Sequence, residues 1–304
     1  MIFGERHYLQ AELAALDELI DQLPMANVID RMSLEARKKE VEAELSTQPS
    51  PYYEPARIRL TFHGKPVVKS HGILTEFAAD ALDTFADMVA AFGASQDVQL
   101  GMRGMIPNRD KYRLMVTGTA LGSFGFELEE APKDNNLLVP ELSPTKAAIE
   151  QAKAIMESSI GSDDDLAEAI SEAEPRAIDA LRAFLQTMVE HSAVCTLVSD
   201  DKPFEFENVD QVKFARERLS QENIHEDDRE IIGTFRGVLP TRRTFEFSVE
   251  ESGDIILGKV GPKIEDASTI NRVIEKPMMI RVHTKQVGMG KPSYILNEYE
   301  EITE

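Results

Sequence analysis

The chain has 304 residues and a mass of 34.0 kDa, with 33 Lys and Arg against 54 Asp and Glu, which gives a net charge of −21. No apolar run approaches the ~18 residues that a membrane span needs. A single cysteine, Cys195, excludes an intramolecular disulfide framework and any multi-cysteine zinc site. We expect an acidic cytoplasmic protein of two or three domains, with no signal peptide and a composition that suits a bacterial protein.

The acidic residues are unevenly distributed along the chain. Residues 1–56, 141–191 and 192–228 carry net charges of −6, −7 and −6, whereas 57–140 and 229–304 each carry −1. The acidic segments have helical spacing and the near-neutral ones have strand signals. Solvated helix faces explain this pattern, and an acidic surface for a basic partner, or one that mimics nucleic acid, is the functional alternative.

Residues 1–50 predict a helical arm. Leucine and isoleucine recur every three or four residues over 5–23, Pro24 interrupts the pattern, and a second helix is predicted over 33–46 with Ser33 as its N-cap. The apolar stripe of that second helix is narrow, so it needs a partner. We expect a short antiparallel coiled-coil hairpin, which either packs on its own chain or associates with a second copy.

Residues 57–135 predict a small α+β domain after a proline-rich linker at 47–55. The run 57–64 alternates apolar and polar residues, as a half-buried strand does. A helix is predicted from Ile73 to Phe92, with Gly93 ending it, and strand runs at 112–119 and 123–130 form a hairpin. Together these elements predict an antiparallel sheet covered by a helix.

Residues 141–228 predict a helical connector. Four helices are expected here: one over 143–158, a second that starts after the acidic sequence GSDDD, a third over 175–191 and a fourth over 208–221. Residues 229–304 then give five strand-like runs with a short helical turn at 266–274. The overall fold class is α+β: an N-terminal helical hairpin, a small antiparallel α+β domain, a helical connector, and a C-terminal small β-barrel of the SH3-like or OB type.

Motifs for catalysis are weak. His63 and His71 lie close together, each followed by glycine, but no third ligand or orienting carboxylate is nearby in sequence. Cys195 follows His191 by four residues, yet its apolar neighbours indicate an inert buried thiol. The run GMGKPS lacks the first glycine of a phosphate-binding loop. We therefore assign no catalytic residue, no metal ligand and no cofactor.

The C-terminal module offers the candidate binding residues. Cationic side chains lie near phenylalanines in sequence, a combination that small barrels use on nucleic acids. The cationic candidates are Arg236, Arg242, Arg243 and Lys259. A net charge of −21 disfavours general nucleic-acid binding. We therefore expect a non-enzymatic interaction or scaffold protein that self-associates and binds a protein partner. The alternatives are a nucleic-acid-associated protein and, less favoured, a hydrolase near His63 and His71.

Overall fold

A computed structural model describes residues 9, 12–17, 19–20, 23, 27–47, 55–98, 100–101, 103–120, 124–131, 143–200 and 202–302. The chain forms two compact units. The first combines Met1–Ala56 with Glu130–Ser143, and the second combines Arg57–Glu129 with Pro144–Glu304.

The first unit contains a helical hairpin. Its described helical residues lie between 9 and 20, and helix α1 spans Val28–Thr47. Arg31 donates to the carbonyl of Ile20 at 3.1 Å and Arg37 donates to Glu12 at 2.8 Å, so the segments run antiparallel. The small core consists of Leu9, Leu16 and Val41, with Leu13 and Leu34 packed against it. Helix α1 begins five residues before Ser33, so the prediction that Ser33 is its N-cap is wrong.

The second unit begins with an open five-stranded sheet. Its strands are β1 (Arg57–Gly64), β4 (Leu114–Ala120), β5 (Phe124–Glu130), β6 (Ala193–Ser199) and β7 (Lys202–Glu205), in the order β4-β5-β1-β6-β7. A separate two-stranded ribbon joins β2 (Val67–Val68) to β3 (Gly72–Ile73). Central strand β1 pairs antiparallel with both β5 and β6. Its residues Ile58, Leu60 and Phe62 are buried, whereas Arg57 and Arg59 are exposed, which confirms the predicted alternation.

Helices pack together beside this sheet. They are α2 (Thr75–Asp97), α3 (Pro144–Ser159), α4 (Asp163–Ile170), α5 (Pro175–Glu190) and α6 (Val209–Arg218). The rings of Phe62 and Phe77 meet edge to face with centroids 5.1 Å apart, and this contact joins sheet to helix. Gly93 does not end α2 as predicted. A Cβ there would lie 2.3 Å from the ring of Tyr112, so this glycine makes room for a packed tyrosine.

Strands β6 and β7 are elements that the sequence pattern did not predict. They lie inside 141–228, which is therefore not purely helical. Five of the seven residues of β6 are buried, so the strand shows no clean alternation. Cys195 lies on this strand, opposite Phe62 of β1.

The C-terminal strands close into a ring. They are β8 (Ile224–Leu239), β9 (Thr244–Val249), β10 (Ile255–Val260), β11 (Met278–Val287) and β12 (Ser293–Glu301), in the order β10-β12-β11-β8-β9. The ring closes through a parallel pairing of β10 with β12, and its other pairings are antiparallel. A 3₁₀ helix, Ala267–Val273, lies between β10 and β11, where a helical turn was predicted.

Strand β8 begins at Ile224, seven residues before the predicted start at Ile231. The added part is polar and exposed, and it pairs with β11. Cross-strand pairs stabilise it: Arg281 Nε lies 2.8 Å from Glu230 Oε1, and His283 Nδ1 lies 2.8 Å from Asp228 Oδ1. Because this part of β8 is charged on both faces, its sequence lacks the alternation of apolar and polar residues by which a strand is predicted.

The prediction of a mixed α+β protein is confirmed, with helices and several sheets. Among the described residues, no helix combines the length and the apolar character that crossing a membrane requires.

Candidate functional site

The four predicted cationic residues differ in their exposure and in their partners. Arg236 and Arg242 are exposed, and neither makes an ion pair with a described residue. Lys259 pairs with Glu172 at 3.5 Å. Of the four candidates, only Lys259 lines the cleft between helix α4 and the ring.

Arg243 has a structural role. Its backbone adopts a φ of 51° in the turn between β8 and β9. From there its guanidinium donates to four carbonyls, those of Val260 at 3.2 Å, Gly261 at 2.8 Å, Ile264 at 2.7 Å and Glu265 at 3.3 Å. A guanidinium that satisfies four backbone acceptors holds the loop after β10 and has few donors left for a ligand.

The phenylalanines near these cations are inside the ring. Phe235, Phe245 and Phe247 are each at most 1% exposed. Phe235 meets Phe247 edge to face at 4.9 Å between centroids and Phe245 at 6.0 Å. They form the ring's core and offer no face on which a base could stack.

The candidate catalytic histidines are at the surface. His63 and His71 are exposed, and neither lines the cleft between α4 and the ring. A third histidine, His191, lies 3.6 Å from Asp80 of α2. Burial raises the pKa of the Cys195 thiol to about 12, so the thiolate needed for nucleophilic attack is scarce at neutral pH. No group of three or more His, Cys, Asp or Glu within the described ranges is placed to hold a metal ion.

A cleft with a volume of about 710 Å³ lies between helix α4 and the ring. This volume is in the range of small-ligand pockets. Residues from six separate stretches line it, among them Asp164, Glu168, Leu239, Glu246, Leu257, Lys259 and Lys291. Of these residues, only Lys259 was a candidate binding residue in the sequence analysis.

The cleft is lined by both apolar and charged side chains. Leu239 is 58% exposed and Leu257 is 66% exposed, although both lie on strands of a well-packed ring. Three acids, Asp164, Glu168 and Glu246, line it with two lysines. Apolar side chains exposed together and rimmed by polar residues are a feature of interaction surfaces. The run of three apolar residues Ile255–Leu257 is the sequence signal that could have indicated this, since one of three must face outward.

A buried lysine fixes one end of the cleft wall. Lys285, on β11, is 5% exposed and donates to the carbonyls of Ile170 at 3.3 Å and Ala173 at 2.6 Å. These carbonyls lie at and just beyond the C-terminus of α4, where a cation is favoured. Lys285 also lies 3.3 Å from Glu226.

The other end of α4 is fixed through the turn between β11 and β12. Ser162 caps the helix in a capping box with Asp165, and Asp163 receives a hydrogen bond from buried Arg218 at 2.6 Å. The Lys291 amide donates to Asp164 Oδ1 at 2.6 Å. A Cβ on Gly290 would lie 2.6 Å from the Asp163 Cβ, so glycine permits this close approach. The cleft is therefore a preformed feature of the second unit.

Comparison of the chain with protein-family models, with curated proteins and with solved structures found no match to any of them.

Proposed function

We propose that this protein is a non-enzymatic interaction protein that binds an extended segment of a protein partner in the cleft between α4 and the ring. The observation that carries the proposal is the pair of exposed leucines, Leu239 and Leu257, in a preformed cleft. A partner residue with an apolar side chain would cover the leucines. A basic neighbour would suit the three acids, in keeping with the net charge of −21.

The ring topology supports an OB-type barrel over an SH3-like one. The helical turn lies between the third and fourth strands, and the third strand pairs in parallel with the fifth. Long strand β8 is shared between β11 and β9. OB-type barrels bind ligands on the face of strands two and three and on the loop between strands four and five. Here β9, β10 and the turn containing Lys291 occupy those positions, and all three line the cleft.

The same topology keeps nucleic acid as the second candidate. Exposed Arg236 and Arg242 support it, since OB-type barrels bind oligonucleotides. The acids Asp164, Glu168 and Glu246 and the buried phenylalanines favour a peptide.

Self-association is the second part of the proposed function. In the helical arm, Leu34 and Val41 of α1 pack against the first helical segment, so the narrow stripe has a partner within its own chain. Among the described arm residues, Leu19 and Met32 are the large apolar side chains that stay exposed.

A peptide-display selection on the full chain tests partner binding. We expect recovered peptides to carry an apolar residue next to Lys or Arg. In fluorescence anisotropy, Leu257→Glu should weaken the binding of a labelled peptide by about tenfold or more. Ile232→Glu is the matched control, because Ile232 is 46% exposed on the ring and does not line the cleft.

Recovery of no peptide, or equal binding by Leu257→Glu, would overturn the cleft proposal. A salt-sensitive gel shift with a single-stranded oligonucleotide that is lost in the double variant Arg236→Glu, Arg242→Glu would establish the nucleic-acid alternative instead.

A further inference from the structure

The two edges of the open sheet differ in how they are protected. Edge strand β7 has only four residues, and it contains Lys202, Pro203 and Glu205, all exposed. Charge, proline and short length are the features by which natural sheets prevent a further strand from adding. The β7 edge is thus protected by its own sequence.

Edge strand β4 has none of these protections. Its seven residues, LMVTGTA, include no charge and no proline. Met115 is 39% exposed and Val116 is 54% exposed. In the part of the chain that the structure describes, β4 pairs with β5 on one side and has no strand on the other. An uncharged edge of this length is a template for another strand.

We propose that β4 pairs with β4 of a second copy of this chain, antiparallel about a two-fold axis at Thr117, so that two sheets join into one. The proposal rests on the self-association part of the proposed function and is independent of the cleft. A two-fold contact uses the same surface on both copies, so the strand must be complementary to itself.

The sequence of β4 meets that requirement. With Thr117 opposite its own copy, Val116 lies opposite Gly118, Met115 opposite Thr119, and Leu114 opposite Ala120. Each pair places a larger side chain beside a smaller one, and no pair brings like charges together.

Charge restricts where two copies of this chain can meet. Two chains of net charge −21 repel each other, so contact between copies requires a surface without charge. Strand β4 supplies seven consecutive uncharged residues. A basic partner would gain more from the acidic surfaces elsewhere.

Light scattering on the full chain, with charge exchange at the two-fold position, tests the proposal. We expect the wild type to have twice the 34.0 kDa mass of one chain. Thr117→Lys and Thr117→Glu each place like charges directly opposite, so each alone should give the mass of one chain. An equimolar mixture of the two should regain the dimer mass, because lysine then faces glutamate.

The matched control is Glu205→Lys, which adds an exposed lysine to the protected β7 edge and should keep the dimer mass. Circular dichroism checks folding, and Thr117→Arg replaces Thr117→Lys if the latter misfolds. A monomeric wild type would overturn this proposal and self-association together. A dimer that persists in both Thr117 variants, or a mixture that stays monomeric, would overturn β4 pairing and leave self-association to another surface.

Discussion

The second unit builds two five-stranded sheets that end in opposite ways. In the ring, β12 pairs with both β11 and β10, so the sheet closes on itself. The surfaces that remain for a ligand are its faces and clefts. The sheet with β1 at its centre stays open and has two edge strands, of which β7 is protected and β4 is not. The same number of strands thus produces a closed ring in one region and a sheet with an unprotected edge in the other.

The largest expected effect tests whether these regions fold together. Phe62→Ala in the open sheet and Phe235→Ala in the ring each remove a side chain that is 0% exposed. Each should lower the free energy of unfolding by about 3–5 kcal/mol. Because both lie in one compact unit, urea unfolding followed by circular dichroism should show both variants shifting the same transition. Two transitions, each moved by one variant only, would show that ring and sheet fold independently.

A smaller effect is expected where the ring meets helix α4. Lys285→Ala leaves the carbonyls of Ile170 and Ala173 without their buried donor, and should cost about 1–3 kcal/mol of unfolding free energy. The control is Lys276→Ala, whose pair with Glu301 is exposed and should contribute no more than about 1 kcal/mol. Equal losses in the two variants would mean that Lys285 does not hold the cleft wall.

The smallest effect concerns the N-terminus of α4. Two hydrogen bonds from Ser162 lower the pKa of Asp165, and the one from its hydroxyl has a larger effect than the one from its backbone amide. A carboxylate with a lowered pKa stabilises the fold above the ordinary aspartate pKa, and this stabilisation is lost as the pH falls from there through the lowered value. Ser162→Ala should cost about 1 kcal/mol at neutral pH through loss of the N-cap. In an NMR titration it should also raise the Asp165 pKa, and an unchanged pKa would contradict this account.

Local signals were enough to predict several helices. Asn208 accepts a hydrogen bond from the amide of Gln211 and so caps α6, and Pro175 begins α5, both as expected. Capping depends on residues only a few positions apart, so the sequence alone can indicate it.

Strand signals failed where burial or charge hid the alternation. Strand β6 has one buried face and one largely half-buried face, with apolar residues on both, and the first half of β8 carries charges that are paired across the ring. Neither pattern has the period of two that identifies a half-buried strand.

The site was harder to predict than the fold. Arg243 and Arg242 are neighbours in sequence and look alike there. Only the positive φ of Arg243 and the path of the loop after β10 bring one of them under four carbonyls and leave the other in solvent. The cleft joins residues as distant as Asp164 and Lys291, and no local pattern links them.

The sequence by itself determined the mixed α+β class, the acidic helices, the turns and the uncharged character of β4, because these follow from composition and from neighbours within a few residues. The tertiary structure alone decided which strand became an edge, which cation became structural and which leucines stayed exposed. Those outcomes depend on which distant segments pack together, since packing determines what each side chain loses or keeps of its contact with water.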